Sequence, residues 1–201
     1  MMRREQLSLQ ERVALHSDQQ AFKQLFRLYY PGLYQFASSI VKCKEVAEEI
    51  VNDVFVTLWT KRESLTSILN FKVYVYIAVK NRCFNHISRE RSLESIDLFE
   101  QLEVDCTERV HTPEDMMLAS ELQHRINKLV QELPPRCLIV YKLVKEEGFK
   151  YKEVAEILNI SIRTVENQIA AAVRKIAEGL SVDFSEDKNL QRLLKQRIIP
   201  N

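Results

Sequence analysis

Glycine and proline are scarce in this chain, at 3 and 5 of 201 residues. A turn-rich β-sandwich or barrel needs special backbone angles at many corners, so the scarcity favours helices with short connections. Long apolar runs are missing as well. The nearest, residues 73–79, carries two tyrosines and falls far short of the roughly 18 residues that a membrane helix needs. The opening Met-Met-Arg-Arg-Glu lacks the apolar stretch of a secretory signal, which sets the expectation of a cytoplasmic chain with no membrane insertion. The four cysteines, Cys43, Cys83, Cys106 and Cys137, form no CxxC pair, and only four histidines accompany them. Ordinary reduced thiols are expected, not a zinc site or a disulfide framework. No phosphate-binding glycine loop or nucleophile motif is visible, so neither an enzyme nor a cofactor is expected. What the chain does have is 46% hydrophobic and 28% charged residues. That suffices for one medium core or two small ones in a soluble protein.

The net charge of +1 conceals a pattern along the chain. Residues 62–92 carry 6 bases and 2 acids, and residues 122–177 carry 10 bases and 6 acids. Between them, residues 93–121 hold one base, Arg109, against 9 acids. Two basic segments flanking an acidic one suit two nucleic-acid-binding lobes whose connector avoids the phosphates. The acidic stretch shows no sustained helical stripe, and like charges repel at that density. An extended linker is therefore placed at 92–112. Thr112-Pro113-Glu114-Asp115 then reads as a helix start, with a capping threonine, proline at the first position and acids in the first turn.

Beyond the linker, Leu122, Ile126, Leu129, Val130 and Leu133 form one helical stripe that Pro134-Pro135 ends. A second helix contains Leu138, Val140, Tyr141 and Val144 and stops at Glu147-Gly148. Tyr151-Lys-Glu-Val-Ala-Glu-Ile-Leu is a short helix, Asn159-Ile-Ser a three-residue turn, and a longer helix starts at Ile162 with Ser161 as its cap. A helix-turn-helix of this spacing offers its second helix to the DNA major groove. With Val165, Ile169, Ala172, Val173 and Ile176 inward, Arg163, Asn167, Ala170 or Ala171, and Arg174 face outward. Thr164 and Gln168 flank that face. Amide and guanidinium groups can read base edges, and Lys150 and Lys152 suit phosphate contacts. A plain helical hairpin with a charged surface is the alternative.

In the N-terminal part, Ala21-Phe22, Leu25-Phe26 and Tyr29-Tyr30 repeat at helical spacing up to Pro31-Gly32, and a second stripe runs Leu33, Phe36, Ile40. A third segment buries Ala47, Ile50, Val54 and Leu58 and turns out Glu45, Glu49, Asn52 and Asp53. Residues 70–82 are β-branched enough for a strand. Their length and their polar continuation through Asn81, Arg82, Asn85 and Arg89 favour a helix with one wet basic face.

Four motifs in order resemble those of extracytoplasmic-function sigma factors of the sigma-70 family. They are Glu49-Ile-Val-Asn-Asp-Val-Phe-Val-Thr-Leu-Trp, the stretch from Asn70-Phe-Lys-Val-Tyr to Asn81, Leu133-Pro-Pro-Arg-Cys, and Tyr151-Lys-Glu-Val-Ala-Glu-Ile-Leu with Ser161 and Thr164-Val-Glu-Asn-Gln-Ile. The resemblance covers about residues 18–177. It implies an all-α fold of two small helical domains: a minus-10-binding lobe at 1–91 and a minus-35-binding lobe at 113–180, with a tail at 181–201. It also implies that Glu49, Asn52 and Asp53 dock on core RNA polymerase, chiefly its β′ subunit, with β as a further partner. Asn70 and Phe71 then capture an unstacked minus-10 base, with Phe71 alternatively a buried anchor of the next helix. Lys80, Asn81, Arg82, Arg89 and Arg91 line the opened strand, and Arg163, Thr164, Asn167, Gln168, Ala171 and Arg174 read the minus-35 element. Promoter DNA and an anti-sigma factor are the other implied partners. Asn85 and Ser88 depart from the residues many relatives have, and the tail with Leu190, Leu193 and Leu194 exceeds the family's usual end.

Two other readings compete. A one-component helix-turn-helix regulator would bind intact duplex without polymerase. A metal-dependent nuclease would recruit Glu48, Glu49, Asp53 and His86, but adjacent Glu48 and Glu49 point to different helix faces.

Overall fold

A computed structural model describes residues 2–91 and 119–183, and every regular element among them is helical. In chain order these are α1 (Met2–His16), α2 (Gln19–Val41), α3 (Lys44–Thr60), a 3-10 turn (Arg62–Ser67) and α4 (Phe71–Arg91). Then follow α5 (Ala119–Gln131), α6 (Pro135–Tyr141), a π-turn (Lys142–Glu146), α7 (Tyr151–Leu158) and α8 (Ile162–Asp183). Backbone contacts separate two compact units. The first holds α1 to α4 and also residues 152–160, whereas the second holds α5, α6, the π-turn and α8. The acidic linker, the helix start at Thr112, Cys106 and the tail from 184 lie outside the described residues.

The first unit packs α2 against α1, α3 and α4. Leu25, Tyr29, Leu33, Phe36 and Ile40 of α2 are buried with Ile50, Val51, Val54 and Leu58 of α3 and Val75, Tyr76 and Val79 of α4. Each such side chain, fully buried, contributes about 1.5–3 kcal/mol. The two stripes on either side of Pro31-Gly32 belong to a single helix, contrary to the break expected there. Proline removes one backbone donor, but Pro31 stands on the exposed side, where water can take the carbonyl it leaves unpaired. Asp18 starts this helix by accepting from the backbone N–H groups of Gln20 (2.9 Å) and Ala21 (3.0 Å). Residues 71–91 are helical, not a strand.

In the second unit, Val130, Leu133, Cys137, Ala172, Ile176 and Leu180 form one buried cluster, with Ile126 and Leu129 packed against it. The helix pair α6–α8 and the pair α5–α8 carry these contacts. The π-turn closes with Glu147 N–H donating to the Lys142 carbonyl (3.0 Å), and Phe149 N–H donates to Leu143 (3.0 Å). Between them Gly148 adopts φ 70°, the left-handed angle that the expected stop at Glu147-Gly148 requires.

Candidate nucleic-acid interface

Helix α8 begins from a turn built into the sequence. Asn159 takes a left-handed φ of 56°, which asparagine tolerates better than most residues, and Ile160 N–H returns to the Ala155 carbonyl (3.0 Å). Ser161 Oγ then accepts from Thr164 N–H (2.9 Å), and its carbonyl accepts from Val165 N–H (3.1 Å), so the first turn is capped. The apolar stripe that follows decides which face of α8 is wet. Val165, Ile169, Ala172 and Ile176 are buried, whereas Arg163, Asn167, Ala170 and Arg174 are exposed, one helical turn after another.

Two expected members of the reading face turn away from it. Ala171 packs against the buried cluster, and its neighbour Ala170 takes the open position. Gln168 is half-buried because its Oε1 accepts from the Cys137 thiol at 2.9 Å. Thr164 sits at the edge, its hydroxyl 2.8 Å from that of Ser161. Arg163 meets Glu166 at 3.5 Å, a long and exposed contact. Lys150 and Lys152 are exposed around the start of α7.

In the first unit, Glu49, Asn52 and Asp53 lie exposed on α3, with Glu45 one turn earlier. Asn81 and Arg89 are exposed on α4, and Arg82 is half-buried because it reaches across to α3. Lys80 does not share that wet face. It is only 8% exposed, its ammonium lies 5.9 Å from the centre of the Phe84 ring, and burial lowers its pKa. Asn70 is the cap of α4: its Oδ1 accepts from Val73 N–H (3.3 Å), and its carbonyl accepts from Tyr74 N–H (3.0 Å). Its amide nitrogen donates to Glu153 (2.9 Å). Phe71 is buried, with its ring 5.3 Å from that of Tyr29, so it anchors the helix and offers no stacking surface. Arg91 lies outside the residues whose side chains are described.

Two family models match the chain in the order these surfaces occur. Sigma-70 region 2 matches residues 25–93, and Sigma-70, region 4 matches residues 123–176. The chain belongs to the sigma-70 family, in its extracytoplasmic-function group. The ECF RNA polymerase sigma factor SigW of Bacillus subtilis is 25% identical over 164 residues, which covers 76% of this chain and 84% of that protein. The ECF RNA polymerase sigma-E factor of Escherichia coli K12 is 25% identical over 161 residues, covering 77% and 84%. Among solved structures, the sigma factor RpoE in complex with the anti-sigma factor NepR from Bartonella quintana matches with a TM-score of 0.59. The two are 25% identical, and the match covers 81% of this chain and 98% of RpoE. CnrH in complex with the cytosolic domain of CnrY matches with a TM-score of 0.54 over 89% and 99% of the chains, and at 21% identity it supports the fold alone. As an alternative sigma factor, the protein directs promoter-specific transcription initiation, and the one-component regulator is not favoured.

Sequence reasoning missed one feature of this sigma factor. An open cleft lies between the end of α3, the 3-10 turn and α4, lined by Lys61, Ser64, Tyr74 and Arg82 over an apolar floor of Val54, Leu58 and Leu65. Tyr74 is 44% exposed, an unusual placement for an aromatic in a helix this buried. The signal was in the sequence: Tyr74 falls off the Val73, Tyr76, Val79 stripe of α4. Of the remaining titratable groups, burial pushes the Cys83 thiol and the Tyr29 hydroxyl up to about 12. Cys43, Cys83 and Cys137 are free thiols. Among the described residues no three His, Cys, Asp or Glu side chains could hold a metal ion, and no helix is long and apolar enough to cross a membrane. The nuclease set is further broken because Asp53 is paired with Arg82 at 2.9 Å.

Proposed function

We propose that this sigma factor docks on core RNA polymerase through the exposed Glu49, Asn52 and Asp53 face of α3 and reads the minus-35 element with Arg163, Asn167 and Arg174 of α8. The lobes at 1–91 and 113–180 then hold the minus-10 and minus-35 elements, with the acidic linker at 92–112 passing toward the polymerase cleft. The observation that carries the reading is the capped α8, whose three long polar side chains stand exposed in register while the opposite face is buried. Side chains so placed can reach base edges, and the neighbouring Lys150 and Lys152 can meet phosphates. Arg82, Asn81 and Arg89 serve the opened strand. The cleft beside Tyr74 takes over the base-capturing role expected of Asn70 and Phe71, since an accessible ring can stack on a base and a buried one cannot. The protein has no enzymatic step of its own, works in the cytoplasm, and is held idle by an anti-sigma factor, as RpoE is seen bound to NepR.

The test is association with core polymerase. Reversing Glu49 and Asp53 to Lys is expected to weaken co-purification and to abolish promoter-dependent transcription in vitro, with the helical circular dichroism spectrum retained because both side chains are exposed. Pull-downs unchanged by the double reversal would remove this face from the docking surface.

A further inference from the structure

Arg82 reaches from α4 to α3 and uses two donors there. Its Nη1 is 2.9 Å from Asp53 Oδ2, and its Nη2 is 2.7 Å from Thr57 Oγ1. The Thr57 hydroxyl in turn donates to the Asp53 backbone carbonyl at 2.8 Å, so its lone pairs are aimed at the guanidinium. Asp53 belongs to the acidic face of α3, and Arg82 to the basic face of α4. Both ends of the pair stay accessible, with side chains 57% and 38% exposed, so an incoming charge can compete for either.

We propose that this pair is a latch that withholds Arg82 from promoter DNA until α3 is docked. The inference rests on the reading that the Asp53 face binds polymerase. A basic polymerase surface on α3 draws the Asp53 carboxylate away, the bond to Thr57 alone is too weak to hold the guanidinium, and Arg82 turns to the strand's phosphates. An exposed ion pair is weak, which is what a latch opened by docking requires, and it limits the effect to about fivefold in affinity.

The test needs no promoter sequence, because a phosphate contact is indifferent to bases. The full chain is titrated against a fluorescein-labelled, mixed-sequence single-stranded DNA 20-mer at constant low salt, read by anisotropy. Asp53→Asn and Thr57→Val are each expected to tighten binding, by up to about fivefold. Glu48→Gln removes an exposed charge from the same helix without touching Arg82 and is expected to leave binding within about twofold. In an Arg82→Ala background neither Asp53→Asn nor Thr57→Val is expected to tighten binding. With saturating core polymerase, the advantage of Thr57→Val is expected to vanish, because docking has already opened the latch.

Equal tightening by Glu48→Gln and Asp53→Asn would reduce the effect to net charge and overturn the latch. So would unchanged affinity in the Asp53→Asn and Thr57→Val chains, with melting curves showing both folded. A Thr57→Val advantage that persists in holoenzyme overturns the link to docking. If Glu49 and Asp53 reversal leaves polymerase binding intact, the docking reading has failed, while the polymerase-free titrations still decide whether Asp53 and Thr57 restrain Arg82.

Discussion

On the proposed reading, Arg163→Ala is the change expected to separate base reading from phosphate binding at α8. The Arg163 side chain is 80% exposed, and its contact with Glu166 is 3.5 Å long at i,i+3 spacing. Such a pair contributes about 0.2–0.5 kcal/mol, roughly a factor of two. A bidentate contact to a base is worth about 1–3 kcal/mol of discrimination, roughly fivefold to 150-fold. Giving up Glu166 therefore costs little against what a base edge returns, and Arg163 is free to read. Arg163→Ala is expected to relax preference at one or two upstream positions by at least about fivefold and to leave the others unchanged. Lys152→Ala is expected to weaken all sequences evenly and to lower the salt slope by about one unit. Glu166→Gln removes an exposed carboxylate beside Arg163 and is expected to strengthen binding about twofold with the same profile. Transcription by reconstituted holoenzyme from a library randomised at the upstream element, read by sequencing, measures all three. If Arg163→Ala scales every sequence alike, or reproduces the Lys152→Ala profile, the assignment of readers and phosphate contacts is refuted.

Two further outcomes follow from the packing and the caps. A Cβ at position 179 would run into Leu129 of α5, with Cδ2 nearest and Cδ1 and Cγ at 3.1 and 3.3 Å. Gly179→Ala gains about 1 kcal/mol of helix propensity but overpacks this contact at about 1–3 kcal/mol, so the melting temperature of the second unit is expected to fall. A rise would show that Leu129 yields freely. Asp18 has a pKa below the usual aspartate value, first because Ala21 N–H donates to it and next because Arg12 pairs with it. A carboxyl with a depressed folded-state pKa stabilises the fold above its unfolded pKa and loses that contribution as pH falls through the folded value. The stability difference between the parent and Asp18→Asn, followed by thermal melts, is therefore expected to shrink below about pH 4. A difference that stays constant from neutral pH down to pH 2 would remove Asp18 from the acid response.

The helices of this protein were legible because their periodicity is carried by local sequence. The stripe Leu25, Tyr29, Leu33, Phe36, Ile40 survives Pro31 because a continuous buried face outweighs one lost backbone bond placed in water. The α7–turn–α8 punctuation was equally local: Asn159 tolerates its left-handed angle, and Ser161 caps whatever helix follows. Helix α1 was not anticipated: among its described side chains the buried apolar ones are Val13 and Ala14, too few to make a long stripe.

What the sequence could not decide was the direction of individual polar side chains. Lys80 and Arg82 are two residues apart on one basic helix, yet Lys80 is buried over Phe84 while Arg82 crosses to Asp53 and Thr57. Gln168 looks like a neighbour of the reading face until the Cys137 thiol claims its oxygen, and the Asn70 amide nitrogen finds Glu153, 83 residues away. For Arg82 and Gln168 the outcome depends on a partner brought in from elsewhere, 29 residues away for Asp53 and 31 for Cys137. Composition, periodicity and caps act within a few residues and so determined the helices and their faces. Competition for long polar side chains is settled only once separate helices are packed together, so the tertiary structure alone decided which charges remain available to DNA and polymerase.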